Sequence, residues 1–177
     1  ARFVNVLLGA LTAWVVLKTA KLLFPRRYAW MFTTLVVFLP GNVILYSYVN
    51  CDALAMCSTA IIFYSWVKAY KEGWSWTTCA VSAVGMGICF LSYYNAYGFI
   101  LTTFFFFVGT MLTDQEKAPK ERWKEMIQKG LFILVIVCVI ALWWFIRNAI
   151  LYGGDFLGRQ ASSASAELYA RYQYKPS

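Results

Sequence analysis

Long apolar stretches separated by short polar loops limit what this chain can fold into. Six such runs lie at about residues 3–24, 28–48, 53–67, 74–92, 99–112 and 131–146. A helix of roughly 17–25 residues crosses the hydrocarbon core of a bilayer. Because that core offers no water to backbone N–H and C=O groups, only helices and closed barrels cross it. With 61% hydrophobic residues and a mean hydropathy of +0.59, the sequence predicts an all-α, multi-spanning transmembrane bundle.

Two parts of this pattern depart from simple spans. Pro40-Gly41 lies inside the second run, where a proline removes a helical hydrogen bond and favours a kink or an early end. The fourth and fifth runs are short, so they form either two crossings or a re-entrant pair. Ala83 and Gly87 in the fourth run have the small-xxx-small spacing that lets neighbouring helices approach closely.

Basic residues alternate between successive loops. The loops after the first, third and fifth runs contain Lys18, Lys21, Arg26, Arg27, Lys68, Lys71, Lys117, Lys120, Arg122, Lys124 and Lys129. The junctions at residues 50–52 and 93–98 contain no lysine or arginine. Since cytoplasmic loops carry the excess of positive charge, the basic loops are predicted to be cytoplasmic. The two uncharged junctions, residues 147–155, the N-terminus and the tail are then predicted to face outward.

The formal charge of +8 does not indicate a nucleic-acid partner, because the basic residues are not gathered on one soluble face. The expected surroundings are membrane lipid. Residues 1–158 are predicted to form the membrane region, and residues 159–177 a polar tail or the start of a further loop. Within the membrane region, the mixed charges of residues 114–129, including Asp114, Glu116, Glu121 and Glu125, suggest a solvated interfacial helix.

Five cysteines and no histidine argue against a zinc cluster. Cys79, Cys89 and Cys138 lie in apolar runs, where a free cysteine packs as a small hydrophobic residue. Cys51 has no functional interpretation from the sequence.

The end of the last apolar run collects polar groups at one predicted boundary. Trp143 and Trp144 precede Arg147-Asn148, and Tyr152 precedes Gly153-Gly154-Asp155. Arginine at such a place either anchors the helix at the interface or binds a phosphate through two charge-assisted hydrogen bonds. Asp155 is either a solvated turn residue or part of a cavity.

A second polar stretch, Tyr48 to Leu54, contains Asn50 and Asp52 at the start of a long apolar helix. An Asp or Asn here caps the helix, borders an outward-facing cavity, or does both. A third stretch, Tyr93-Tyr-Asn-Ala-Tyr-Gly98, interrupts the apolar pattern, and its tyrosines are equally typical of an aromatic belt.

Val49–Ala55 and Trp143–Gly158 resemble motifs of the GT-C class of polyprenyl-phosphate-sugar-dependent glycosyltransferases. This class includes protein mannosyltransferases and the aminoarabinose transferase of lipid A. The resemblance covers nearly the whole chain. It implies a fragment of a larger GT-C-type membrane domain that uses a polyprenyl-phosphate sugar as donor, on the extracytoplasmic face of a bacterial plasma membrane.

The resemblance also implies roles for particular residues. Asp52 would be a catalytic-site acid that borders the donor cavity or binds a divalent metal. Arg147 and Asn148 would bind the donor phosphate. The cavity would be lined by Asn50, Tyr94, Asn95, Tyr152 and Asp155.

The chain departs from the GT-C pattern at two points. Relatives often have a lysine where Tyr93 or Tyr94 stands here, which weakens a phosphate role for that turn. No acid precedes Asp52. The catalytic base, expected on the first outer loop, would therefore lie upstream of Ala1.

A non-enzymatic membrane protein, either a transporter module or an accessory subunit, is the alternative. A transporter needs polar residues along its translocation route. Because the middles of runs one and three to six contain no ionisable residue, the sequence disfavours ion-coupled transport.

Overall fold

The computed structural model describes residues 2–113 and 118–169. The helices are α1 (Arg2–Leu23), α2 (Arg26–Val37), α3 (Pro40–Ser47), α4 (Asp52–Glu72), α5 (Trp76–Leu91), α6 (Tyr97–Thr113), α7 (Pro119–Leu151) and α8 (Arg159–Tyr169). A 3₁₀ turn, Tyr94–Ala96, precedes α6. No strand occurs among the described residues, so the predicted all-α class is confirmed.

Within the described ranges, four helical stretches are long and apolar enough to cross a membrane: α1, α4, Tyr94–Thr113 and α7. The pair α2 and α3 makes a fifth when counted as one bent span. Helix α5 has 16 residues, a length of about 24 Å at 1.5 Å per residue, short of the ~30 Å hydrocarbon core. The multi-spanning prediction is confirmed.

The predicted kink in the second run is also confirmed. Helices α2 and α3 are bent by 60° at their break, and Pro40 is the first residue of α3, where a missing N–H costs no helical bond. The Asn42 amide nitrogen donates to the Val36 carbonyl at 2.7 Å. The same carbonyl also accepts the Leu39 backbone N–H at 3.4 Å, so both bonds join the end of α2 to the break.

Helix α7 corrects the interpretation of the charged segment. It runs for 33 residues without a break, so the charged residues from Pro119 onward form the first turns of the same helix as the sixth apolar run. At 1.5 Å per residue it is about 50 Å long, more than the bilayer core requires. The interpretation of this segment as an interfacial helix is therefore wrong for its described part, which continues directly into the span. Asp114, Glu116 and Lys117 lie outside the described residues.

The chain forms two compact units, one up to Ile140 and one from Ala141. In the first unit, α4 packs between α1 and α5, and α6 packs against α4 and α5. Its buried core contains Ile62, Ala69, Trp74, Cys79, Ala83, Met86, Cys89, Ala96, Phe107, Met111 and Ile133. The burial of Cys79 and Cys89 confirms that these two thiols pack as small hydrophobic residues.

Small residues on α5 allow the close packing that their spacing predicts. Ala83 is fully buried, and a Cβ added at Gly87 would lie 2.9 Å from the Ile140 side chain of α7. A Cβ added at Gly85 would lie 3.0 Å from Ile62 of α4. The sequence analysis identified Gly87 but not Gly85.

The described parts of the three basic loops lie together at one end of the first unit, which we call the basic end. The Lys71 ammonium donates to the Leu22 carbonyl, which joins the loop after α4 to the end of α1. The Trp74 indole N–H donates to Thr110 Oγ1 at 2.8 Å, which joins the start of α5 to the end of α6.

The two junctions without lysine or arginine lie together at the opposite end, which we call the Asp52 end. Tyr97 donates its hydroxyl to the Phe90 carbonyl at 2.9 Å, so the end of α5 meets the start of α6 there. Helices α5 and α6 are therefore antiparallel and both connect the two ends of the unit. This arrangement agrees with the alternation of the basic loops, while the assignment of the basic end to the cytoplasm stays a prediction.

Candidate functional site

Asn50 caps helix α4. Its side-chain oxygen accepts the backbone N–H of Ala53 at 2.8 Å, and its amide nitrogen donates to the Leu45 carbonyl at 2.9 Å. The helix begins at Asp52 and its N-cap residue, Cys51, makes no side-chain capping bond. Of the two residues that the sequence offered as caps, Asn50 therefore performs the capping.

Asn5, which the sequence analysis missed, holds the same turn from helix α1. The residue is only 6% exposed. Its amide nitrogen lies 2.6 Å from the Tyr48 carbonyl oxygen and 3.4 Å from that of Asn50. A lone amide within the first apolar run was the available signal, because a buried polar group needs a hydrogen-bond partner.

The Asp52 carboxylate is half-buried at the first turn of α4, where the positive end of the helix dipole favours a negative charge. Within residues 2–113 and 118–169, no hydrogen bond or ion pair engages this carboxylate. Asn50 and Asn5 make the hydrogen bonds that hold this turn. The carboxylate oxygens of Asp52 can therefore still accept hydrogen bonds from a ligand.

Tyr93 and Tyr94 lie at the same end as Asp52, with ring centroids 4.6 Å apart. The hydrogen bond to Tyr94 raises the pKa of Tyr93 above 10.0, and the negative charge of Asp52 raises it further. The structure therefore brings the Asp52 turn and the tyrosine turn together. Tyr94 and Asn95, both predicted to line a cavity, are exposed.

In the second unit, Arg147 and Asn148 have different surroundings. Arg147 is exposed, and its guanidinium carbon lies 5.3 Å from the centre of the Trp144 ring. Asn148 is 4% exposed. Its amide nitrogen donates to the Phe156 carbonyl at 3.4 Å, and its buried side-chain oxygen has no hydrogen-bond partner among the described residues. Arg147 thus offers its donors outward, whereas Asn148 faces the loop that follows α7.

Asp155 caps helix α8. It follows Gly153 and Gly154, whose φ angles of 60° and 103° make the turn that ends α7. Its two carboxylate oxygens accept the backbone N–H groups of Arg159 at 3.1 Å and Gln160 at 2.7 Å. Asp155 is half-buried, and these bonds make it a capping residue within the turn. Neighbouring Tyr152 is exposed.

No group of three or more His, Cys, Asp or Glu side chains able to hold a metal ion occurs in the part of the chain that the structure describes. Asp52 by itself does not make a metal site. The predicted approach of Asn50 and Asp52 to Arg147 and Asp155 concerns both units and stays a prediction.

Four or five apolar spans and polar residues concentrated at helix ends define an integral membrane protein. The family model of dolichyl-phosphate-mannose-protein mannosyltransferase matches residues 1–145. The chain therefore belongs to this family, and it is a membrane glycosyltransferase of the GT-C type. Comparisons with curated proteins and with solved structures find no match.

Family membership confirms the resemblance and favours the enzyme over the transporter module or accessory subunit. The matched residues include the Asp52 turn and the tyrosine turn and end just before Arg147. The role of Arg147 therefore depends on its chemistry and on the sequence motif, and is treated below as a proposal.

Proposed function

We propose that this protein transfers a sugar from a polyprenyl-phosphate donor to an acceptor hydroxyl at the Asp52 end, on the extracytoplasmic face of a bacterial plasma membrane. The proposal depends on one observation: the Asp52 carboxylate has no hydrogen-bond or ion-pair partner among the described residues. Its neighbours Asn50 and Asn5 hold the turn, so the carboxylate is not used for capping. Its oxygens therefore keep their capacity to accept hydrogen bonds from a ligand.

The chemistry is a displacement at the anomeric carbon. The acceptor oxygen forms a bond to that carbon, the bond between the carbon and the donor phosphate oxygen breaks, and the polyprenyl phosphate leaves with the electron pair. The acceptor proton passes to a carboxylate base. The resemblance implies a base on an earlier outer loop, and on this proposal Asp52 borders the donor cavity.

Arg147 suits the leaving phosphate, whose negative charge grows as the sugar departs. A guanidinium stays charged at every relevant pH and donates two parallel hydrogen bonds to phosphate oxygens. The Trp144 ring beside Arg147 restricts where the guanidinium points. Such a preset donor stabilises the developing charge without reorganising during the reaction.

An Asp52→Asn variant of the full-length enzyme tests the role of Asp52. We expect transfer from a polyprenyl-phosphate sugar to fall by roughly a hundredfold, as for loss of one preorganised polar contact to the reacting groups. Glu72→Gln is the matched control, since it removes an acid from the other end of the same helix. Normal transfer by Asp52→Asn at equal expression would contradict the proposal.

An Arg147→Lys variant separates phosphate binding from membrane anchoring. Lysine keeps the charge but cannot donate two parallel hydrogen bonds to the phosphate. We therefore expect the leaving group to lose about 2–4 kcal/mol of stabilisation. That loss corresponds to a roughly thirty- to thousandfold slower transfer. An anchor would tolerate lysine, because lysine also extends to the interface. Near-normal transfer with intact insertion would therefore leave Arg147 as an anchor.

A further inference from the structure

The connection between α1 and α2 forms a surface of exposed cations at the basic end. Four basic side chains lie within residues 18–27, and all of them are exposed: Lys18, Lys21, Arg26 and Arg27. The ammonium of Lys71, also exposed, joins them because it donates to the Leu22 carbonyl at the end of α1. We call these five basic residues the cationic turn.

The cationic turn has no neighbouring acid in the sequence to balance its charge. Residues 1–51 contain no aspartate or glutamate, and within the described chain none of the five basic residues forms an ion pair. The other two basic segments differ, since Lys68 lies 4.0 Å from Glu72 and Lys129 pairs with Glu125. The positive-inside pattern explains why all three segments are basic, but not why this one lacks carboxylates.

The backbone makes the charge of this turn less favourable still. Arg26 and Arg27 lie in the first turn of α2, where the positive end of the helix dipole disfavours a cation. That turn contains no acid, and its N-cap residue, Pro25, makes no side-chain capping bond. Because exposed like charges within a Debye length of about 8 Å also repel each other at physiological salt, the cationic turn favours an anionic partner.

Two tryptophans beside the turn indicate that this partner is a lipid. The ammonium of Lys18 lies 5.3 Å from the centre of the Trp14 ring, and that of Lys21 lies 5.6 Å from the centre of the Trp30 ring. Both rings are more than half exposed. Since tryptophans at the ends of spans lie at the level of the lipid headgroups, these contacts hold both ammonium groups near the lipid phosphates. A ring contact also restricts a lysine without neutralising it, which reduces the entropy lost on binding.

We propose that the cationic turn binds the headgroups of anionic phospholipids. Arg26 and Arg27 donate paired hydrogen bonds to phosphate oxygens, and the lysines supply further positive charge. Clusters of about four to eight basic residues next to a transmembrane helix bind anionic lipid in this way. A zwitterionic headgroup adds a cation of its own, which the turn repels, so the turn distinguishes the two classes of lipid by net charge.

Native mass spectrometry of the full-length protein in detergent, titrated separately with phosphatidylglycerol, phosphatidylethanolamine and phosphatidylcholine of the same acyl chains, tests the proposal. We expect phosphatidylglycerol to bind about tenfold more tightly than the other two, a difference of ~1.4 kcal/mol. Combined replacement of Lys18, Lys21, Arg26 and Arg27 by glutamine should abolish this preference.

The matched control is the double variant Lys120→Gln/Lys124→Gln. It removes two exposed cations from the start of α7, where glutamates alternate with the lysines, and it should retain the preference. An unchanged preference in the folded fourfold variant, or an equal loss in the control, would overturn the proposal.

Two measurements on the unmodified protein do not depend on whether a variant folds. Raising the ionic strength from about 0.15 M to about 1 M shortens the Debye length from ~8 to ~3 Å, so the preference for phosphatidylglycerol should fall severalfold. Glycerophosphoglycerol, the headgroup without acyl chains, should not displace the lipid at equal concentration. Displacement would identify a site for soluble anions, and equal binding of the three lipids would favour an acidic protein partner; either result would overturn the proposal. None of these outcomes depends on the transferase reaction.

Discussion

The two ends of helix α4 use their charged residues differently. At the basic end, Glu72 lies 4.0 Å from Lys68, and Glu125 forms the close pair with Lys129. At the other end, the neutral amides of Asn5 and Asn50 make the structural hydrogen bonds. Charged groups therefore stabilise the basic end, whereas at the Asp52 end uncharged groups hold the turn and leave the carboxylate accessible to a ligand.

The largest effect expected within this comparison is on stability at the basic end. Glu125→Gln leaves the ammonium of Lys129 buried without its counter-charge, which should lower the free energy of unfolding by roughly 2 kcal/mol, less than a fully buried pair because Glu125 is partly exposed. Glu72→Gln, in an exposed pair, should cost about 0.5 kcal/mol or less. Denaturation of the solubilised protein measures both. If both variants lose the same free energy of unfolding, burial does not make the Glu125–Lys129 pair more stabilising than the Glu72–Lys68 pair.

A smaller effect on stability, with an effect on transfer, is expected at the Asp52 end. Asn5→Ala removes the donor to the Tyr48 and Asn50 carbonyls, at a cost of about 1–2 kcal/mol. Because the turn that positions Asp52 loses its support, transfer per folded molecule should fall about tenfold.

Asn42→Ala is the matched control for Asn5→Ala. It also removes an amide that donates to a backbone carbonyl, but at the kink between α2 and α3. We expect a similar loss of stability with transfer unchanged. If both variants transfer equally well, Asn5 has no part in positioning Asp52.

The smallest expected effect is on the ionisation of Tyr93. Asp52→Asn removes a negative charge that raises the pKa of Tyr93, so this pKa should fall toward 10.0 while the contribution of Tyr94 remains. Absorbance titration of tyrosinate, with Tyr93→Phe subtracted to isolate the residue, measures the change. An unaltered pKa would show that Asp52 and Tyr93 are not neighbours.

The raised pKa also has a consequence for stability. Tyr93 holds its proton more tightly in the folded protein, so it favours folding below its unfolded pKa. That contribution is lost as the pH rises through the folded pKa. Stability should therefore decrease slightly in this alkaline range, and less so in Tyr93→Phe.

Hydropathy and backbone chemistry were enough to predict much of the fold. The apolar runs predicted the spans, Pro40 predicted the bend, and the alternation of basic loops predicted which loops lie together. These features depend on residues close in sequence or on composition, so a one-dimensional pattern contains them. The same pattern misjudged α7, because charges between Pro119 and Lys129 change its polarity without interrupting the helix.

The candidate site was predictable only in part. Asn50 and Asp52 could be named from their place before an apolar helix, but which of them caps it depends on the geometry of the turn. The bond from Asn5 to that turn joins residues more than 40 positions apart, and the burial of Lys129 depends on three helices meeting. The sequence by itself determined which segments are apolar enough to enter a membrane and where the chain turns. Only the tertiary structure decided which polar atoms are satisfied and which stay available, because a hydrogen bond requires two groups within about 3 Å of each other, and distant segments reach that separation only when helices pack.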